Sequence, residues 1–241
     1  MAEFWEDIAS QFEGAFITKD RWSLILEGVG NTMVITFFAL IIGMTLGVMI
    51  AMARSTWDRT SKNIARGPLK TIFWFVNGIC KVYITVIRGT PVMIQLMIIF
   101  FIILTTTNKM IVAIIAFGIN SAAYIAEIMR SGIMSIDQGQ IEAGRSLGFN
   151  YIQTMWYIVL PQAFKNILPA LGNESIGLFK ETAIAGTVGV TDLTRASNMI
   201  RGITFQSFFP LLTAALIYLL FVLLFTWLVG KLERRLRSSE R

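Results

Sequence analysis

Residues 140–190 read QIEAGRSLGFNYIQTMWYIVLPQAFKNILPALGNESIGLFKETAIAGTVGV. Glu142-Ala143-Gly144 is followed by three residues and Gly148, then by nine residues and Ile158-x-Leu160-Pro161. Residues 137–147 are polar on one side and carry small residues at Ala143 and Gly144, which predicts a short helix outside a bilayer. Small residues let a helix sit close against another surface. Gly148 can take a positive φ and end that helix sharply. Asn150 is placed to cap the next helix, which carries Tyr151, Trp156 and Tyr157, and Pro161 is expected to start a new direction. The result is two short helices with a bend, a shape that can dock into a cleft. An ordinary helix–Gly–helix connection has the same local signature.

Composition says where such a loop lives. The chain has 241 residues, of which 55% are hydrophobic and 15% charged, with a mean hydropathy of +0.65. A soluble domain of this size carries about a quarter charged residues, so the deficit points to one integral membrane domain. There is no His and a single Cys, Cys80. That excludes a disulfide within the chain and argues against a typical zinc site. The net charge of +6 sits mostly before residue 71 and at the C-terminus. In a membrane protein such clusters report topology before they report nucleic acid.

Outward from the loop, the sequence divides into apolar spans and their flanks. Residues 1–28 are acidic and amphipathic and read as a short interfacial segment, with Trp5, Phe12, Phe16 and Trp22 suited to an interface. Residues 29–52 form the first span, with Gly43 and Gly47 at the spacing of close helix packing. Residues 53–70, with Arg54, Arg59, Lys62, Arg66 and Lys70, read as a cytoplasmic loop. Residues 71–87 read as a tilted or interfacial entry to a second span that runs to Leu104 and is broken or kinked at Gly89 and Pro91. The third span is 110–134. Asn120, Tyr124, Glu127 and Ser131 form a polar stripe on it, and Glu127 with Arg130 reads as a structural ion pair. A fifth span, about 209–230, ends in the basic tail at 231–241. Five spans, with the N-terminus outside and the basic segments inside, close the topology.

The fourth span, from about Phe164, is unusually polar. It carries Asn173, Glu174, Lys180 and Glu181. Ionisable groups at this depth normally line a pathway or pair with one another. Glu174 and Glu181 are seven residues apart on one helix face, about 10 Å along the axis. Asn173 and Lys180 share a neighbouring face. A segment at 186–208 follows, with a helix at 191–201 capped by Thr191 or Asp192.

The loop resembles the EAA loop of permease subunits of binding-protein-dependent ABC importers. Arg88-Gly89-Thr90-Pro91, Asn120-Ser121-Ala122-Ala123-Tyr124, Leu171-Gly172-Asn173-Glu174 and Val190-Thr191-Asp192-Leu193-Thr194-Arg195 are similar to the polar amino acid branch of that family. The resemblance covers roughly residues 28–230. It implies an all-α transmembrane fold, the five-helix MetI-like permease, with coupling helices in a cytoplasmic EAA loop at about 135–163. It implies residues 29–230 as the permease domain. It also implies cytoplasmic ATPase subunits that hold ATP and Mg and dock at Glu142, Ala143, Gly144 and Gly148. An extracytoplasmic binding protein and a second permease, identical or paralogous, complete the assembly. The fourth span and the Asn120 region are implied as the substrate pocket, with Asn120, Tyr124, Asn173, Glu174, Lys180 and Glu181 as its residues. This chain has Gly144 where the family usually has Ala, and Glu181 where relatives often have Asp.

The chain has no Gly-x-x-x-x-Gly-Lys-Ser/Thr loop, so ATP is expected on the partner ATPase and no cofactor on this chain, and with no His, one Cys and no nucleophile–base pairing no catalytic or metal site is expected in it. The membrane lipid is its only expected non-protein surface, and nucleic acid is not. The expected location is a bacterial inner or plasma membrane. The function expected is a path for an amino acid, polar or cationic because an uncompensated acid calls for a cation. The alternatives are a permease for another small solute, or an ATP-independent channel or carrier.

Overall fold

The computed structural model describes residues 1–61 and 67–238, and it is helical throughout its ordered elements. Lys62 and Arg66 of the basic loop and residues 239–241 of the basic tail lie outside the described residues. The elements are α1 (Ala2–Phe12), α2 (Trp22–Thr60), α3 (Pro68–Gly89), α4 (Val92–Ile98), α5 (Lys109–Met134), α6 (Gln138–Ser146), α7 (Tyr151–Thr154), α8 (Leu160–Glu181), α9 (Leu193–Thr204) and α10 (Phe208–Ser238). Among the described residues, α2, α3, α5 and α10 are long and apolar enough to cross a membrane. The 22 residues of α8 are long enough too, but its acids and amides keep it below that apolarity.

Four boundaries differ from the sequence reading, each for a physical reason. The first span, α2, is a helix of 39 residues, not the expected 24 or so at 29–52. Ala51, Met52, Ala53, Arg54 and Arg59 are strong helix formers and no Gly or Pro interrupts residues 51–60, so leaving the bilayer does not end it. The basic stretch 53–70 is therefore mostly the last turns of α2 and the first of α3. Residues 71–87 are not a short entry but the body of α3, itself of spanning length. The break falls where expected, at extended Thr90 before Pro91, because the residue before a proline avoids the helical region. Pro161 does not start a new direction. A wide π-turn at Met155–Val159 carries α7 into α8, with the Leu160 N–H donating to Met155 O. Pro161 lies in the first turn of α8, where the N–H it lacks is spared. Last, α10 continues to Ser238 rather than ending near 230.

The chain falls into two compact units, each assembled from separate stretches. Met1–Ala39, Met93–Phe117 and Ile176–Phe225 form the first, and Leu40–Val92, Gly118–Ser175 and Thr226–Arg241 the second. The first unit buries Ala15, Phe16, Ile25, Leu193, Ala196 and Ile200 together. Here the start of α2 clasps α9. A Cβ at Gly28 would lie 2.9 Å from Asp192 O and from Leu193 Cα. Asn31 Nδ2 donates to Thr191 O at 2.8 Å, and Thr32 Oγ1 accepts from Leu193 N at 3.2 Å. Phe179 is fully buried between the rings of Tyr218, Phe221 and Phe225.

The second unit buries Ala51, Ile125, Met129, Ile133, Val159, Ala163 and Ile167. The Gly43/Gly47 pair is used for close packing, as its spacing suggested. A Cβ at Gly47 would fall 2.6 Å from Ile125 Cγ2, and one at Gly43 3.2 Å from Ser121 Cβ. Gly172 makes room for Val229 in the same way.

Candidate functional site

The polar stripe of α5 descends from a buried end to an exposed one. Asn120 is 3% exposed and Ser121 1%, Tyr124 and Glu127 are half-buried, and Ser131 is exposed. Glu174 of α8 reaches this stripe: Ser121 Oγ donates to Glu174 Oε1 at 3.3 Å. Asn120 is the neighbour of Ser121 on the same turn, so an amide, a hydroxyl and a carboxylate gather at one level of the second unit. Arg88 of the Arg-Gly-Thr-Pro segment stacks over the Tyr124 ring at 5.2 Å, a cation–π contact. The sequence reading put neither Ser121 nor Arg88 in the site. The signal for Arg88 was its position beside a helix break, which frees a long cation to swing toward a ring.

Further along the same stripe, Arg130 forms a fork. Its Nη2 donates to Glu127 Oε1 at 2.6 Å and its Nη1 to Asp58 Oδ2 at 3.1 Å. The Glu127–Arg130 ion pair is thus present, and Asp58 at the end of α2 is an additional partner. With Arg54 Nη1 donating to Asn77 Oδ1 at 2.8 Å, these contacts tie α2, α3 and α5 within the second unit. They read as structure, since each charged group has a protein partner.

The other sequence-selected acids and bases are not gathered at this level. Asn173 is exposed beside Glu174 in the second unit, and Lys180 and Glu181 are exposed in the first. No side-chain hydrogen bond or ion pair between Lys180 and either acid occurs among the described residues.

The EAA loop has its own geometry. Asp137 caps α6, its carboxylate accepting from Gly139 N at 2.7 Å. Gly148 sits at φ +84 and ends α6, and a Cβ there would meet nothing within 4 Å. Asn150 and Gln153 form a reciprocal capping box at 2.9 Å in each direction. Gly144 is buried against the chain itself: a Cβ would fall 2.8 Å from Ile158 Cδ1. Its smallness serves the packing of α6 on the following helix, whereas Glu142 and Ala143 stay exposed. Leu147 and Ile152 are each 75% exposed and Trp156 67%. Asp58, Arg59, Asp137, Glu142, Arg145 and Tyr151 line a charged cleft of about 400 Å³ at the foot of the loop. Burial pushes the Tyr151 hydroxyl above its ordinary value, with Arg59 opposing. Leu147, Ile152 and the contribution of α2 to the cleft were not read from the sequence.

A capped, rigid loop that leaves large apolar side chains uncovered, joined to a helix carrying a carboxylate into a polar stripe, suits coupling and passage rather than bond chemistry. Comparison with known proteins agrees. Residues 64–238 match the family described as binding-protein-dependent transport system inner membrane component. The chain is 37% identical over 220 residues to the arginine transport system permease protein ArtQ of Bacillus subtilis, covering 90% of this chain and 94% of that one. It is 33% identical over 219 residues to the glutamine transport system permease protein GlnP of Escherichia coli, covering 89% and 93%. Among solved structures, an amino acid ABC transporter crystallised with histidines matches with a TM-score of 0.78 and 37% identity over 91% of this chain and 98% of that one. The MetNI methionine ABC transporter matches with a TM-score of 0.74 at 21% identity over 90% and 98%, which shows the shared fold.

Proposed function

The chain belongs to the family of binding-protein-dependent transport system inner membrane components, and we propose that it forms half of the path by which a polar or cationic amino acid enters the cell. As a member of that family it is a membrane-embedded importer permease, and its ATPase and substrate-binding protein are separate partners. The observation that carries the proposal is the Glu174–Ser121 contact beside buried Asn120. An amino acid needs a negative partner for its ammonium and polar partners for its carboxylate. Glu174 supplies the first. Ser121 holds Glu174 in place, Asn120 brings an amide for the second, and Arg88 over Tyr124 places a further cation in the same unit. The arginine and glutamine relatives support an amino acid over another small solute.

In this reading Asn120, Tyr124 and Glu174 contact the solute, with Asn173 at the edge. Lys180 and Glu181 meet it, or the second permease, farther along α8. A second permease, identical or paralogous, is needed because α8 is too polar to face lipid. The basic residues near Arg54 and in the tail from Lys231 support a cytoplasmic position for those segments, with the N-terminus outside, by the positive-inside rule. ATP and Mg are bound by the ATPase, whose closure moves the EAA loop and rocks the spans against each other. Glu142, Ala143 and Gly148 face that ATPase, while Gly144 shapes the loop.

The test is the purified permease–ATPase assembly with its binding protein, scored for ATP hydrolysis stimulated by each amino acid. Stimulation by polar or cationic amino acids and not by methionine, phosphonate or sulfonate supports the reading. In the same assembly Glu174→Gln keeps shape and removes charge. It is expected to weaken apparent affinity by roughly ten- to a hundredfold, the worth of a charge-assisted hydrogen bond, while basal hydrolysis persists. Unchanged uptake kinetics at normal expression would remove Glu174 from the path.

A further inference from the structure

We infer that Arg130 is a positioning residue whose bond to Asp58 latches the end of α2 to α5, opening and closing as the coupling loop moves. The fork at Arg130 has two unequal legs. Glu127 lies on the same helix and holds the guanidinium bidentately, accepting from Nη2 at 2.6 Å and from Nε at 3.1 Å. Asp58 reaches it from α2 through one bond, accepting from Nη1 at 3.1 Å. The neighbouring Arg59 donates from Nη2 to Ile133 O, a neutral carbonyl of α5. At the end of α2, then, the Asp58 leg is the contact that joins the two helices through opposite charges.

Breaking a buried ion pair is costly chiefly when it leaves a charge without a partner. Here neither end is left so. Arg130 keeps both bonds to Glu127. Asp58 is 24% exposed in its side chain and lines the charged cleft at the foot of the loop, where Arg59 and Arg145 offset the other acids, Asp137 and Glu142. A contact with such ends is suited to being made and broken. It also sits where movement arrives. α5 ends at Met134 and α6 begins at Gln138, so a push on the loop reaches the end of α5 about one turn from Arg130. Successive steps of three residues lead back from Arg130 through Glu127 and Tyr124 to Ser121. Tyr124 bears Arg88, and Ser121 holds Glu174. A shift of α5 against α2 therefore moves the latch and the polar stripe together. The latch rests on the importer reading, in which an ATPase moves the loop.

The test uses the purified permease–ATPase assembly and reads basal ATP hydrolysis without solute or binding protein, then hydrolysis with both. Asp58→Asn keeps the shape and removes the charge. It is expected to assemble at parental yield and to raise basal hydrolysis about threefold, the size of a partly exposed ion pair, with a matching fall in the stimulated-to-basal ratio. Asp58→Glu restores the charge and should return both rates to parental values. Glu127→Gln weakens the two bonds within α5 but spares the leg to α2. It should lower yield more than Asp58→Asn does, while basal hydrolysis per assembly stays parental. Parental basal hydrolysis in Asp58→Asn, or equal increases in both variants, overturns the latch. So does an Asp58→Asn chain that is lost from the membrane while Glu127→Gln is not, which makes the contact a structural tie. Basal hydrolysis is read without solute, so the latch is tested even where no amino acid stimulates the parent, the result that would sink the solute reading.

Discussion

α9 and the α6–α7 pair are both short helices set between longer ones, and they are finished in opposite ways. α9 is closed within the chain along one face, with Met199 and Ile203 exposed on the other. Asp192 caps it, with its Oδ2 accepting from Thr194 N at 2.9 Å, and Leu193, Ala196, Ser197 and Ile200 are buried. The α6–α7 pair is equally well capped, yet Leu147, Ile152 and Trp156 remain exposed. Covering a large apolar side chain is worth about 1.5–3 kcal/mol. α9 has collected that stabilisation from its own chain, and the EAA loop leaves it for a partner. Substitutions should therefore act on folding in one region and on coupling in the other.

The largest effect is expected at Gly28, where the obstacle is backbone that cannot step aside. Gly28→Leu should remove the protein from the membrane, beyond the ~1–3 kcal/mol usual for overpacking. Gly30→Leu, where a Cβ meets nothing within 4 Å, should accumulate normally. Immunoblots of membrane fractions compare them, and equal abundance would deny the α2–α9 clasp.

Next comes Gly148→Asp. The site has open space, and a positive φ costs a non-glycine residue about 1–2 kcal/mol, so the chain should still insert. A charge between Leu147 and Phe149 should nevertheless cut transport at least tenfold through lost coupling, the order of one misplaced interface charge. Unchanged transport in the reconstituted assembly would erase the contrast between the two regions.

The smallest effect concerns pH. Burial holds the Asp192 carboxyl above the usual carboxylate range, against the hydrogen bonds from Thr194 and Arg195 that lower it. The folded segment thus binds this proton more tightly than the unfolded one. The resulting stabilisation is complete below the ordinary carboxylate range and is lost as pH rises through the raised value. Hydrogen exchange over residues 193–200, corrected for intrinsic rates, should show greater protection at acid pH. Asp192→Asn should flatten that dependence.

Much of this was legible in the sequence. The third span at 110–134 matches α5 closely because period, length and flanking turn agree. Gly148, Asn150 and Asp192 take the backbone roles their residue types suggest. The family emerged from five motifs in order. Helix ends were less legible where strong helix formers such as Ala53, Arg54 and Arg59 prolong a helix that has already left the apolar stretch. The α2–α9 clasp joins residues about 160 positions apart, and no local pattern announces it. Of the candidate site, Glu174 and Asn120 were readable as misplaced polarity. Ser121 and Arg88 were not, because their roles depend on which helices become neighbours. Gly144 was read as a surface for a partner and proves to be a seat for Ile158.

The claim that the EAA loop is completed by a partner is tested most directly by thiol accessibility. Ile152→Cys, in a background lacking Cys80, is labelled with a water-soluble maleimide in the assembled complex and again after the ATPase has been stripped. The account predicts slow labelling in the complex and at least tenfold faster labelling without the ATPase, while Thr204→Cys at the end of α9 labels at one rate in both. Equal rates at position 152 with and without the ATPase would contradict it.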